Sequence, residues 1–265
     1  IFARVEGLQM ERTIDSIDAP SRAGNVISVS PQVGAATGGD IRIIGCHFRF
    51  SGTRNFTFTG AGWRCVYGAP GNATADTPPD IYLINNVVTW NATVTSLSVT
   101  SNNAINFEHR VHRLHAWNNT VKLNAEWDLG FSGTAANRIH YCKNNLISGI
   151  AAAGFAAAYS NTYCNYNSTD NATLGYTAGS NDRVSQTFTF VASDDAAITS
   201  SDAGAKDCGW SGPDNLQFGV TVALFMDDIN QKTRSGAWDI GAFEYVSLDN
   251  PTRTLRAARL ANLIR

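Results

Sequence analysis

Ile81-Tyr82-Leu83-Ile84-Asn85-Asn86-Val87-Val88 is an apolar run, a pair of asparagines, and a β-branched pair. The same grammar returns at Leu114-His115-Ala116-Trp117-Asn118-Asn119-Thr120-Val121 and at His140-Tyr141-Cys142-Lys143-Asn144-Asn145-Leu146-Ile147. An earlier run, Ile41-Arg42-Ile43-Ile44, meets Gly45-Cys46-His47-Phe48 at the equivalent place. Superposing these units aligns Ile41, Ile81, Leu114 and His140 in one column. Ile43, Leu83, Ala116 and Cys142 form another, two residues on, as expected for one face of successive strands. A sharp bend between strands needs a residue that tolerates the left-handed region, which Gly enters freely and Asn less readily. Stacked Asn side chains can also hydrogen-bond from one unit to the next. Each unit therefore reads as strand, two-residue bend, strand. The units recur at unequal intervals, so loops of different length must leave the stack between them. A plain antiparallel sandwich with Asn-rich hairpins is the competing reading.

The composition suits stacked strands. Charged residues make up 16% of the 265, against roughly 25% in ordinary soluble domains. Their place is taken mainly by Asn, Thr, Ser, Gly and Ala, which favour turns and strands over helices. A net charge of −2 gives no electrostatic reason to expect nucleic acid as a partner. No stretch approaches the roughly 18 consecutive apolar residues of a membrane span, and residues 1–7 do not resemble a signal peptide. The five cysteines, Cys46, Cys65, Cys142, Cys164 and Cys208, form no C-x-x-C pair. They read as small buried hydrophobes. One disulfide stays open, with partners the sequence cannot name.

Further along, residues 149–158 are rich in Ala and Gly and carry no clear preference, and 161–181 read as loops around weak strands. Gln186-Thr187-Phe188-Thr189-Phe190-Val191 alternates as a strand does. After residue 250 the pattern changes. Asn250-Pro251 is a helix start, and Ala257, Leu260, Ala261 and Ile264 follow an amphipathic helical period. Arg253, Arg256, Arg259 and Arg265 make this segment basic. A helix of about 14 residues is not stable alone, so Arg253, Arg256, Arg259, Leu260 and Ile264 are candidate partner-docking residues.

The repeated x-N-N-x-[VI] units resemble the bacterial and phage right-handed parallel β-helix repeat proteins of pectate-lyase-like architecture. Ser235-Gly236-Ala237-Trp238-Asp239-Ile240-Gly241-Ala242-Phe243-Glu244-Tyr245 is similar to the D-I-G-A-[FY]-E motif that ends many such chains. Ser201-Asp202-Ala203-Gly204 and Asp227-Asp228-Ile229-Asn230-Gln231-Lys232-Thr233-Arg234 resemble the segments that precede it. The resemblance implies an all-β right-handed parallel β-helix with irregular loops, closed by a strand over Asp239–Tyr245; residues 1–30 and the short C-terminal α-helix lie outside the resemblance. Residues 1–30 then form an N-terminal segment or cap, 31–246 the β-helix, and 247–265 the basic tail. It also implies an extracellular, cell-surface or virion setting, but no single activity.

The densest ionisable cluster is Glu108-His109-Arg110-Val111-His112-Arg113-Leu114-His115. A polysaccharide lyase needs a base and a cation to stabilise an enolate, which Arg110 or Arg113 with a histidine could supply, but no catalytic signature of that superfamily is recognisable. The plainer reading is a solvated face of one rung, and a strand cannot present three histidines to one metal ion. Asp194-Asp195 and Asp227-Asp228 read as solvated turns, with calcium the alternative occupant. Trp117 and Trp238 read as packing residues, whereas Trp63, in a loop, could stack on a sugar ring. Trp63, Arg110, His112 and Arg113 are therefore the candidate glycan contacts, with no catalytic residue, cofactor or metal assigned. Sequons at Asn55, Asn72, Asn91, Asn118, Asn167 and Asn171 arise easily in so Asn-rich a chain. The sequence expectation is a non-catalytic structural surface protein. Its narrow form is a virion component such as a capsid decoration or tail-associated subunit, partnered by its own copies, for instance as a trimer, within a larger assembly. The alternatives are a carbohydrate-active enzyme or a glycan-binding adhesin.

Overall fold

The structure, a computed structural model, describes residues 2–14, 25–29, 40–59, 64–68, 80–98, 103–107, 113–123, 129–133, 139–155, 163–192, 196–211 and 227–245. Among these residues the chain is all-β and its strands come in threes. They are β1 (Phe2–Glu6), β2 (Gln9–Ile14) and β3 (Asn25–Val29), then β4 (Asp40–Ile44), β5 (His47–Thr59) and β6 (Arg64–Gly68). Next come β7 (Asp80–Ile84), β8 (Val87–Ser98), β9 (Asn103–Phe107), β10 (Arg113–Trp117), β11 (Thr120–Lys122) and β12 (Leu129–Gly133). The series ends with β13 (Ile139–Lys143), β14 (Leu146–Ser148), β15 (Ala153–Phe155), β16 (Cys164–Asn165) and β17 (Ser168–Thr169). Every third strand joins the same sheet, giving sheets of six, six and five strands. All pairings between these strands are parallel. The antiparallel sandwich is thereby removed.

The two columns read from the sequence are the observed register. Ile41 lies opposite Ile81, Ile81 opposite Leu114, and Leu114 opposite His140. Ile43, Leu83, Ala116 and Cys142 align likewise, and the column continues to Cys164. These side chains point inward, where one apolar cluster draws on all three sheets. Phe48, Phe50 and Val88 enter it from the second sheet, and Ile105, Phe131 and Phe155 from the third.

The bend between the first and second sheets has one conformation at every level. Gly7, Gly45, Asn85, Asn118, Asn144 and Tyr166 all have φ between 54° and 65°. That is the left-handed region, so Gly or Asn at this place is a backbone requirement. The residue after the bend builds a ladder. Asn86 Oδ1 accepts from the Cys46 amide at 3.0 Å, and Asn119 Oδ1 accepts from the Asn86 amide at 2.9 Å. Asn145 and Asn167 repeat the pattern, and Asp182 accepts from the Asn167 amide at its foot. These four asparagines are buried, and the ladder satisfies backbone donors that the bend would otherwise orphan.

Three features differ from expectation. Within residues 1–30, set apart as a segment or cap, Phe2–Glu6, Gln9–Ile14 and Asn25–Val29 supply the first strand of each sheet. Asp239–Tyr245 forms no strand and does not cover the end of the stack. It lies along the side of the bend, where the Gly241 amide donates to the Asn144 carbonyl and the Ala242 amide to Thr120 Oγ1, at 2.8 and 2.9 Å. Gly241 sits so close to Thr120 that a Cβ would meet Oγ1 at 2.6 Å. The segment over 186–191 also forms no strand beyond an isolated antiparallel bridge of Phe190 with Ile198, because its two phenylalanines pack instead against Leu146, Ile198 and Ile240. The end of the core is covered by Leu174 and Tyr176, whose ring meets Phe155 at 5.5 Å. The basic helix expected over 250–265 lies outside the described residues.

His140 is the exception in an otherwise apolar column. It is buried, and burial alone pushes its pKa down to about 4. The imidazole is neutral at pH 7 in both the folded and the unfolded chain. Below about pH 6.5 the unfolded chain takes up a proton that the folded chain refuses until about pH 4. Stability therefore falls across that window, by up to about 3 kcal/mol from this residue. Replacing His140 with Leu, the residue of the rung above, is expected to remove this part of the acid sensitivity. Urea midpoints at pH 7 and pH 4 check it, and an unchanged pH dependence would refute it.

Candidate functional site

Alternation in the first sheet places three rows of side chains outward. The first row holds Asp40, Asp80 and Arg113. The second holds Arg42, Tyr82, His115 and Tyr141, and the third Ile44, Ile84, Trp117 and Lys143. In the first row Arg113 lies 3.9 Å from Asp80, while Asp40 is paired with Arg42 of the second row at 2.6 Å. In the second row the rings stack from rung to rung. Tyr82 and His115 are 4.5 Å apart with planes 6° from parallel, and His115 and Tyr141 are 4.9 Å apart at 4°. The Arg42 guanidinium lies 5.5 Å from the Tyr82 centroid at one end, and Tyr163 meets Tyr141 edge-on at 5.1 Å at the other. Parallel in-register strands force this geometry, because identical offsets in successive units superpose.

The row changes character along its length. His115 is wholly buried and Tyr82 nearly so, whereas Tyr141 is half-buried and Tyr163 is 40% exposed. The Tyr82 hydroxyl is pushed up to about 12 by burial, with the nearby Asp80 and Asp40 charges adding to the effect. Tyr82 is therefore a hydrogen-bond donor at neutral pH and not a base. Beside the open end, the Lys143 ammonium lies 4.0 Å from the Trp210 ring centroid. Half-exposed tyrosines flanked by Arg113, Asp80, Lys143 and Asn165 combine apolar ring surface with polar groups, an arrangement suited to binding.

The third outward row is covered by the C-terminal section. Trp238 packs with Ile44, Tyr82, Ile84 and Trp117, so both tryptophans expected to serve packing do so. Behind Trp238 lies a buried charge cluster. Arg234 is 2% exposed, pairs with Glu244 at 3.2 Å, and donates to the Gly241 and Asp239 carbonyls at 2.7 and 3.1 Å. Burial pushes the Glu244 and Asp239 carboxyls up, while Arg234 acts against it in both. Asn85 reaches the section by donating to the Asp227 carbonyl at 2.6 Å, and Asn144 by donating to the Trp210 carbonyl at 2.8 Å. The asparagines at the bend thus have two roles, a backbone one inside and an anchoring one outside.

Of the candidate glycan contacts, Arg113 opens β10 beside Asp80, while Trp63, Arg110 and His112 lie outside the described residues. So do Asp194 and Asp195, and the docking residues Arg253, Arg256, Arg259, Leu260 and Ile264. The solvated face expected around His115 is instead a buried ring stack. Asp228 does stand in a turn, but it is 4% exposed. Its oxygens accept from the amides of Asn230, Lys232 and Glu244, which is why it is buried and not solvated. Asn118 and Asn167 are also buried and hydrogen-bonded, so the folded chain presents neither sequon. No group of three His, Cys, Asp or Glu suited to a metal occurs among the described residues. Sequence reasoning missed the ring stack, although its signal was present: Tyr82, His115 and Tyr141 each follow the first column residue of their unit. No protein-family model, curated protein or solved structure matches this chain.

Proposed function

We propose that the chain is a right-handed parallel β-helix serving as a non-catalytic structural protein of an extracellular or virion surface. The observation that carries this reading is the way residues 227–245 are fastened along the stack by buried charge and by the bend asparagines. Together with the Asn ladder, this fastening ties successive levels of the stack by buried hydrogen bonds, which suits a scaffold exposed to proteases. Right-handedness follows from the strong preference of parallel crossovers for that hand. The basic tail at 247–265 is the assembly element, docking the rod to its own copies or to a capsid. Deleting residues 250–265 is expected to lower the mass found by light scattering in solution while far-UV circular dichroism stays unchanged. An unaltered mass would sink the assembly role.

A second reading, glycan binding, is favoured by the half-exposed Tyr141–Tyr163 end of the ring row beside Lys143 and the Arg113–Asp80 pair. Retention of the full chain on neutral and acidic polysaccharide columns, abolished in Tyr163→Ala, would support it. Equal elution of both proteins on every column would reject it.

A further inference from the structure

We propose that Cys142 and Cys164 form a disulfide linking the last two rungs of the first sheet when the chain folds in contact with a small-molecule disulfide. The two residues are direct register partners in β13 and β16, on the same inward face. Both are fully buried in the core. Neighbouring strands lie roughly 4.8 Å apart, inside the Cα separation of about 4.4–6.8 Å that a disulfide spans. The bond therefore needs side-chain rotation and little backbone movement. Oxidation gives up a hydrogen bond of 3.1 Å from Cys164 Sγ to the His140 carbonyl. A thiol is a weak donor, so that sacrifice is small.

The other cysteines are placed elsewhere. Cys46 occupies the ladder position after the first-sheet bend, with its thiol on the Ile44 carbonyl. Cys208 lies in the C-terminal section against the Lys206 carbonyl. Cys65 lies on β6 in the third sheet. Among the described strand pairings only Cys142 and Cys164 face each other.

The chemistry is thiol–disulfide exchange. One thiolate attacks glutathione disulfide and releases glutathione. The second thiolate then attacks the mixed disulfide and releases another. Two protein thiols are oxidised, one glutathione disulfide is reduced, and the two thiol protons leave with the two glutathiones. Burial holds the Cys142 thiol above its ordinary value, so the folded stack is unreactive. The bond must form before the last rungs close. This inference stands independently of the surface reading.

The test is to refold the full chain from urea in a glutathione redox buffer. It is then unfolded with an alkylating agent, and the cysteines are mapped by mass spectrometry. Cys142 and Cys164 are expected to be linked to each other, with the native chain in the same buffer remaining reduced. The refolded, oxidised chain should unfold at a higher urea concentration than after reduction, since a cross-link restricts the unfolded state. A Cys164→Ser chain carried through the same protocol should leave Cys142 alkylated. The proposal is overturned if both thiols are alkylated after oxidative refolding, if either pairs with a different cysteine, or if the bond lowers the urea midpoint.

Discussion

Replacing Asn119 with Ala is expected to destabilise the protein by about 4 kcal/mol, read as a lowered urea midpoint. The side chain stands at mid-ladder and is 1% exposed. Its Oδ1 accepts from the Asn86 amide and from Asn86 Nδ2 at 2.9 and 3.1 Å, and its Nδ2 donates to the Leu83 carbonyl at 2.9 Å. It also donates to Asn145 Oδ1 at 2.9 Å. Truncation leaves the Asn86 amide without this acceptor, in a place water cannot reach, and the Leu83 carbonyl without this donor. Each such group costs roughly 1–3 kcal/mol. The neighbouring substitution Asn118→Gly is the control. Glycine accepts the φ of 54° more readily than Asn, and the substitution removes one hydrogen bond, donated by Asn144 at 3.0 Å. It should cost about 1 kcal/mol. Equal effects at the two positions would mean that the bend matters and the ladder does not. Because rungs touch mainly their neighbours, a break at this level is also expected to uncouple the two halves and broaden the transition.

The contrast between Asn118 and Asn119 also shows how much of the molecule is legible in the sequence. Periodicity of two, an αL-tolerant residue and a second asparagine are local signals. They place four bends, two inward columns and the ladder correctly. Where the local signal is weaker, the pattern no longer guides. The first bend uses Gly7-Leu8 and the last Tyr166-Asn167, so neither shows the doubled asparagine, although both adopt the same backbone. The third sheet has no such recurring signature: Arg64-Cys65-Val66-Tyr67-Gly68 and Asn103-Ala104-Ile105-Asn106-Phe107 share little beyond an apolar third residue, and the register that sets Val66 opposite Ile105 appears only in the structure. The C-terminal motif is recognisable as a unit, but the strand expected of it is the wrong geometry. Asp239 looks like the start of a strand, yet its carboxylate accepts from the Asp207 and Tyr245 amides and folds the segment back on itself. Such partners lie too far apart in sequence for any local pattern to reveal them. The open end of the ring row is similar: Tyr163 precedes a rung of two-residue strands, and only the register brings it to Tyr141.

Replacing Arg234 with Met should release the C-terminal section from the stack while leaving the ladder intact. The guanidinium is buried among Glu244, the carbonyls of Gly241 and Asp239, and the face of Trp238 at 5.7 Å. Methionine fills part of the volume but leaves the Glu244 carboxylate without its cation. Breaking a buried pair from one side costs about 3–5 kcal/mol, because a charge is stranded in the interior. Restoring neutrality should therefore recover much of the stability. In the double variant Arg234→Met with Glu244→Gln, the Gln carbonyl still accepts from the Asp239 amide, whose present bond to Glu244 is 3.1 Å. Hydrogen exchange separates the two regions. The Gly241, Ala242 and Glu244 amides, bonded to Asn144, Thr120 and Asp228, should lose protection in the single variant and regain it in part in the double. The Asn86 and Asn119 amides should keep theirs in both. Trp238 would leave its place against Ile84 and Trp117, so the fluorescence of the single variant should shift to longer wavelength. If the ladder amides lose protection together with those of the section, the fastening is part of the core and not a strap laid over it. The stack would then depend on its C-terminal section for its existence and not only for its rigidity.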